Sequence, residues 1–383
     1  MKLYLNSLQS FMLKNISNMF LPLLLLLPGM VRAEVNIAVV APLSGDYQSL
    51  GQELVSGAKI AVDEINNNGG LKGERVNLVV VDDPCNDILA VSTAEMMAVN
   101  SSKADKINTV IGPFCQNSFN RLADVYAKAG IFQIVPTSVC NYGTDINHRG
   151  LVKMVGYCQN QSLDFFRYYL SHFPDARVAL VYDSGIKSVV EIAAALQDEF
   201  GKAGKMLNIK SFNFAKYGND YSQLGEDIID GKFEAAYILG EPKEVSKLAR
   251  ALKKEDRDFK IFVNRYQSQG RYFEELGKLA DGTYFMSLPT LKDSPDFTET
   301  LVRLRLLGVE PRGLSVYSYS AVKLWQDIVN KANSFAYANM AEALPGNRFE
   351  TAWGEASFKN GNPENTVNYA IYKYEDGEYA QVY

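Results

Sequence analysis

Histidine is almost missing from this chain: 383 residues contain two, His148 and His172. So few imidazoles leave little room for a histidine-rich metal centre or for Ser-His or Cys-His catalysis. Positive charge is not in excess. Lys and Arg number 39 against 44 Asp and Glu, for a formal net charge of −5, so nothing in the composition suits a phosphate backbone. Cysteine is sparse, four residues with no Cys-x-x-Cys spacing, which argues against a zinc site. No Gly-x-Ser-x-Gly elbow, Walker loop or Gly-x-Gly-x-x-Gly fingerprint occurs; Gly69-Gly-Leu-Lys-Gly73 ends a helical stretch instead of opening one. These absences argue against a nucleic-acid binder, an enzyme, a metal site or a nucleotide cofactor. The chain is nonetheless 47% hydrophobic and 22% charged, enough apolar surface for a full core.

Long apolar runs are also lacking, apart from one. Phe20 to Pro28 is too short to cross a bilayer, which takes about 20 apolar residues. Lys2, Lys14 and Arg32 flank it without any acidic residue, and Val31-Arg32-Ala33 puts small residues at the −3 and −1 positions of a cleavage site. Residues 1–33 read as a secretory signal peptide, with Met12 and Met19 as alternative starts. The mature chain is then 34–383, with a net charge of −8 and no cysteine near the cut to carry a lipid. A soluble periplasmic protein is expected. In an oxidising compartment Cys85, Cys115, Cys140 and Cys158 are expected to form disulfides, with three pairings open.

Along the mature chain, short β-branched runs alternate with helical patterns. Val35–Ala41, Val76–Val81, Thr109–Ile111 and Ile131–Val135 read as strands, and Gly51–Asn68 as an amphipathic helix stopped by Asn66-Asn-Asn-Gly-Gly70. The order then begins again with strands at Arg177–Tyr182, Met206–Phe212, Ala235–Leu239 and Lys260–Val263. Helices are expected around Val189–Phe200, Tyr221–Ile229 and Glu244–Lys253. This predicts an α/β fold of two similar lobes, each a mostly parallel sheet flanked by helices, joined near Lys153–Gly156. The first lobe is assigned 34–152 plus about 287–350, and the second 153–286 plus about 351–383. Thr283–Pro289 is read as a return crossing, Tyr317–Asn333 as a helix rejoining the first lobe, and Val367–Tyr374 as final strands. Two open sheets place their strand ends against a shared cleft, where a small solute binds by hinge closure.

Several motifs in order carry a resemblance: Ile37-Ala-Val-Val-Ala-Pro-Leu-Ser-Gly45, Gly57-Ala58, Ala61-Val-Asp-Glu-Ile-Asn66, Gly69–Gly73, Asp82-Asp-Pro-Cys85, Ile111-Gly-Pro-Phe-Cys115 and Pro136-Thr-Ser138. Together they resemble the branched-chain amino-acid-type periplasmic binding proteins. The resemblance covers most of the mature chain and is strongest over 37–140. It implies a type I two-lobed fold and solute capture for an ABC importer, with membrane permease subunits as partners, a monomeric state and no cofactor. It also implies a Cys85–Cys115 disulfide, which leaves Cys140 and Cys158 as a second pair.

The resemblance puts the ligand against the loops after the third and fourth strands: Phe114, Gln116 and Asn117, and Thr137, Ser138 and Val139. Helix N-termini there hold carboxylates through backbone N–H groups. Two positions depart from the family. Val139 stands where amino-acid binders carry a Thr, and Tyr266 where they carry the Glu that receives the ammonium. Loss of that Glu without replacement would reject ordinary α-amino acids, since a buried ammonium needs a carboxylate or acceptors. Glu241, at another strand end, can compensate. Tyr47 and Tyr266 with Phe114 supply aromatic walls, and Ser184 ends the first strand of the second lobe. The expected solute is a small polar organic molecule: amino-acid-like, an amide, an organic acid or an aromatic acid. A periplasmic sensor signalling to a membrane receptor or kinase uses the same clamp and is the alternative.

Overall fold

The computed structural model describes residues 34–383 except 100–105, 116–117, 141–145, 147, 219, 256–257, 265–270, 290–297, 307, 309–312, 352–353 and 366. The signal peptide expected over 1–33 lies outside the described residues.

The valine- and isoleucine-rich runs form two parallel layers. In the first lobe β1 (Glu34–Ala41), β2 (Arg75–Asp82), β3 (Ile107–Ile111), β4 (Phe132–Val135) and β5 (Leu151–Lys153) form a sheet of order β2-β1-β3-β4-β5. Every pairing in it is parallel. β1 lies inside the sheet with both faces covered, which is why Ile37–Ala41 reads as a continuous apolar run. In the second lobe the sheet joins β6 (Val178–Tyr182), β7 (Ile209–Asn213), β8 (Ala235–Leu239), β9 (Lys260–Asn264) and β10 (Thr283–Ser287) with β14 (Ala370–Glu375) and β15 (Glu378–Gln381). Its order is β15-β14-β10-β9-β8-β6-β7, parallel except where β14 and β15 run antiparallel at one edge.

Helices cover both sheets. In the first lobe α1 is Gln48–Asn67, α2 is Asp87–Val99 and α3 is Phe119–Ala129. In the second, α4 is Asn160–His172, α5 is Lys187–Lys202, α6 is Tyr221–Asp230 and α7 is Pro242–Glu255. Two shorter helices, α8 (Arg271–Leu276) and α9 (Thr298–Leu306), precede α10 (Leu314–Ala332) and α11 (Tyr337–Glu342). Leu50, Leu54, Ala58, Ala61, Val62 and Ile65 repeat at three- and four-residue spacing on α1 and are all buried. α1 packs on α10 at Gly57, where an added Cβ would lie 1.9 Å from the Ser315 carbonyl oxygen. Ser318 Oγ donates to the Leu54 carbonyl at 2.7 Å across the same contact.

The structure differs from the sequence pattern in three places. Met206–Asn208 is a turn of 3-10 helix, so β7 starts only at Ile209; Met206 and Leu207 are exposed and add nothing to the sheet. Thr283–Ser287 is a full member of the second sheet, parallel to β9, before the chain returns. An unforeseen three-stranded antiparallel sheet follows α10: β11 (Arg348–Thr351), β12 (Gly354–Lys359) and β13 (Asn362–Pro363). β11 touches α10 and β13 touches β5, both in the first lobe. The Gly361 carbonyl accepts the Lys153 N–H at 2.7 Å, and a Cβ on Gly361 would come within 2.1 Å of the Leu151 carbonyl oxygen. Only glycine permits that approach, at φ +74°.

Candidate functional site

Parallel strands deliver their loops to one end of each sheet, and the two sets of loops face each other. Between them lies a cavity of about 150 Å³. The first lobe contributes Tyr47, Phe114 and Ser138; the second contributes Gln161, Ser188, Glu241 and Asn264 as its polar wall, with Ile186, Val189 and Ile192 as apolar floor. Cys85, Cys115, Cys140 and Cys158 complete the lining.

Each side chain is aimed by its element. The loop after β1 is tied to the end of β2: Asp82 accepts from the Leu43 N–H at 2.7 Å and from Ser44 Oγ at 3.1 Å. A turn of 3-10 helix at Gly45–Tyr47 then presents Tyr47, whose ring lies 5.8 Å from that of Phe114. Glu241 follows β8, and its carbonyl accepts from the Glu244 and Val245 N–H groups at 3.0 Å each, starting α7. Gln161 and Ser188 lie in the first turns of α4 and α5. The cavity is thus ringed by helix N-termini, whose partial positive charge favours polar and anionic groups of a solute.

The lobes touch across the cleft. Tyr47 Oη donates to Glu241 Oε2 at 3.1 Å. Burial, then the Glu241 charge, pushes the Tyr47 phenol far above its ordinary range, so it remains a donor. The Glu241 carboxyl is raised as well, first by desolvation and then by Glu244, Asp46 and Asp183; the Tyr47 bond pulls the other way. Among the described lining residues Glu241 alone carries a formal charge. Behind the wall, Gln161 Oε1 accepts from Tyr237 Oη at 3.0 Å and from Asn264 Nδ2 at 2.7 Å, while Gln161 Nε2 donates to the Cys158 carbonyl at 2.9 Å.

Of the residues expected from the sequence, Tyr47, Phe114, Ser138 and Glu241 meet in this cavity. Thr137 and Val139 do not line it: both are buried, and Val139 bridges to Tyr157, because the loop after β4 continues in register with the chain leaving β5. Ser184 points elsewhere, its Oγ accepting from Asn213 Nδ2 at 2.8 Å. Gln116, Asn117 and Tyr266 lie outside the described residues. Sequence reading missed Gln161, Ser188 and Asn264. Asn264 directly follows the expected strand Lys260–Val263 and ends the observed one, so the strand-end rule already pointed at it; Gln161 and Ser188 carry no such signal. Both disulfides are formed: Cys85–Cys115, 30 residues apart, and Cys140–Cys158, 18 apart.

The two histidines stand apart from the cavity. His148 pairs with Asp124 at 2.7 Å, and His172 stacks on Tyr168 with ring centroids 4.0 Å apart. No group of three or more potential metal ligands occurs among the described residues, and none of their helices is long and apolar enough to cross a membrane.

Comparison with known proteins places the chain. A family model described as periplasmic binding protein matches residues 34–378. A Leu/Ile/Val-binding protein of Rhizobium johnstonii is 28% identical over 357 residues, covering 91% of this chain and 94% of that protein. The leucine-binding protein LivK of Thermotoga maritima superposes with a TM-score of 0.77 at 19% identity, covering 91% of this chain and 98% of that one. A solute-binding protein of R. palustris in complex with benzoate has a TM-score of 0.73 at 15% identity, covering 91% and 95%.

Proposed function

The chain belongs to the periplasmic binding protein family, and on that premise we propose that it is the solute-binding component of an ABC importer, capturing a small polar organic solute in the cleft between its lobes. The observation that carries this reading is the cross-cleft Tyr47–Glu241 hydrogen bond over a polar cavity. A cavity whose two walls come from different lobes changes shape when the lobes move, so solute and closure are coupled. The family and the structural partners of both histidines support binding without catalysis.

The solute we propose carries an N–H donor, an amine or an amide, directed at Glu241. Asp46 of the first lobe is near enough to Glu241 of the second to raise its carboxyl pKa, together with Glu244 and Asp183 of the second lobe. Like charges approaching across a partly desolvated gap oppose closure, and a positive or donor group between them relieves that opposition. One structural neighbour is named a leucine-binding protein and another holds benzoate; the acid-rich rim is what favours the first kind of ligand in this reading.

The test is a thermal-shift screen of residues 34–383 against amino acids, their amides, short organic acids and benzoate. A solute at 100 times its Kd adds about 2.7 kcal/mol. Stabilisation by amines or amides, weakened in Glu241→Gln, is the expected result. Stabilisation confined to acids without an N–H donor would overturn the donor assignment. Stabilisation by nothing, with scattering curves that never contract, would overturn solute capture itself.

A further inference from the structure

We infer that the Cys140–Cys158 disulfide is a hinge clip: it holds the first connection between lobes onto the first lobe as far as Cys158, so that the lobes pivot at Gln159, and Gln161 is the positioning residue that sets the second-lobe wall against this point. The clip concerns the connection and holds whatever the solute is; it rests on the clamp reading only in that the lobes move.

The sequence alone puts the pivot near Lys153–Gly156, where the chain leaves the last strand of the first sheet. The structure shows that stretch fully engaged. The Met154 N–H donates to the Val135 carbonyl at 3.0 Å, the Val139 N–H to the Gly156 carbonyl at 3.0 Å, and the Cys158 N–H to the Val139 carbonyl at 2.7 Å. Val139 and Tyr157 form a parallel bridge. Lys153 Nζ donates to the Ile146 carbonyl at 3.0 Å, and Tyr157 Oη donates to Asn362 Oδ1 at 3.1 Å in the small antiparallel sheet. The ladder begun by β4 and β5 thus runs on past the expected hinge and ends at Cys158, where the disulfide to Cys140 closes it. Both cysteines are buried, 0% and 4% exposed.

Two residues later the chain belongs to the other lobe. Ser162 Oγ donates to the Ile192 carbonyl at 2.7 Å, and the Phe165 ring stacks on Tyr237 with centroids 4.7 Å apart. Gln159 Nε2 donates to Glu191 Oε2 on α5 at 3.1 Å. Gln161 spans the junction: it donates back to the Cys158 carbonyl and accepts from Tyr237 and Asn264, the latter in the cavity wall. A pivot this short, with a covalent stop on one side and a buried amide on the other, fixes where the second-lobe wall arrives when the cleft shuts.

Hydrogen exchange and solution scattering on residues 34–383 test this without a ligand. In Cys140→Ser/Cys158→Ser, exchange at Val139 and over 154–158 should accelerate about tenfold or more, and the scattering radius of the free protein should increase. Cys85→Ser/Cys115→Ser, which breaks a bridge lying within the first lobe, should leave the scattering radius of the folded protein unchanged and speed exchange evenly through lost stability, with no excess at Val139 and over 154–158. In Gln161→Ala, with both bridges intact, 159–163 should loosen while 154–158 stays protected. The clip is overturned if the first variant exchanges and scatters like the unaltered chain, or if its acceleration spreads evenly over all helices, as loss of a general staple would produce. Should that variant not fold, Gln161→Ala decides: loosening on both sides of Cys158 overturns the pivot.

Discussion

Asp83 offers the sharpest electrostatic test. It follows β2, only 1% exposed, with Oδ1 accepting the Cys85 N–H at 3.0 Å and Oδ2 buried without a hydrogen-bond partner. Burial raises its pKa from 3.8 to about 6, with Asp82 and Asp87 adding to the rise and the Cys85 N–H opposing it. The folded state therefore holds this proton more tightly than the unfolded chain. Stability from Asp83 is complete below about pH 4 and is lost as pH rises through about 6. At 1.36 kcal/mol per pKa unit the difference is about 3 kcal/mol. Asp83→Asn removes the charge and keeps the acceptor for Cys85, but leaves a buried amide N–H₂ with no partner, a cost of about 1–2 kcal/mol. The variant should thus be more stable than the unaltered chain by about 1–2 kcal/mol at pH 7.5 and less stable at pH 4.5. Urea midpoints at both pH values, with disulfides intact, read the crossover directly. Parallel pH profiles for the two proteins would refute the reasoning, since every other carboxylate is common to both.

Gly57→Ala should destabilise by about 3 kcal/mol, because the new methyl meets the Ser315 carbonyl oxygen at the α1–α10 contact; an unchanged melting temperature would show that the helices separate freely. Tyr47→Phe removes a hydrogen bond to a carboxylate, worth about 1.5–3 kcal/mol when fully formed and less at the open cleft mouth. It should widen the free protein in scattering while leaving the Phe114 packing in place, and an identical curve would show that this bond does not hold the cleft. Breaking Cys85–Cys115, which closes a 30-residue separation, should cost about 3–4 kcal/mol in the chain-entropy treatment, measured by unfolding of the double serine variant.

Periodicity and composition already carried the architecture. The runs at Ile37–Ala41 and Ala235–Leu239 are buried on both faces, and a strand in that situation is apolar nearly throughout. The spacing on α1 survives because one face must meet the sheet and α10. Phe114 and Ser138 were named through the family resemblance, and Tyr47 and Glu241 as residues at strand ends; all four line the candidate cavity because parallel strands bring those ends together. Gln161 was not legible, since its role depends on Tyr237 and Asn264, 76 and 103 residues away. Thr137 and Val139 sit in the expected loop but behind its surface, and sequence position does not say which way a loop residue faces.

What the sequence determined unaided was the two-lobed alternation and the end of the sheets that carries the cleft. Those follow from local burial patterns and chain direction, which each segment encodes in itself. Tertiary structure alone decided that β11–β13 sit against the first lobe, that Tyr47 reaches Glu241, and that the ladder past β5 runs on to Cys158. Each of these joins residues distant in the chain, and a contact of that kind exists only once both partners have been brought together by everything folded between them.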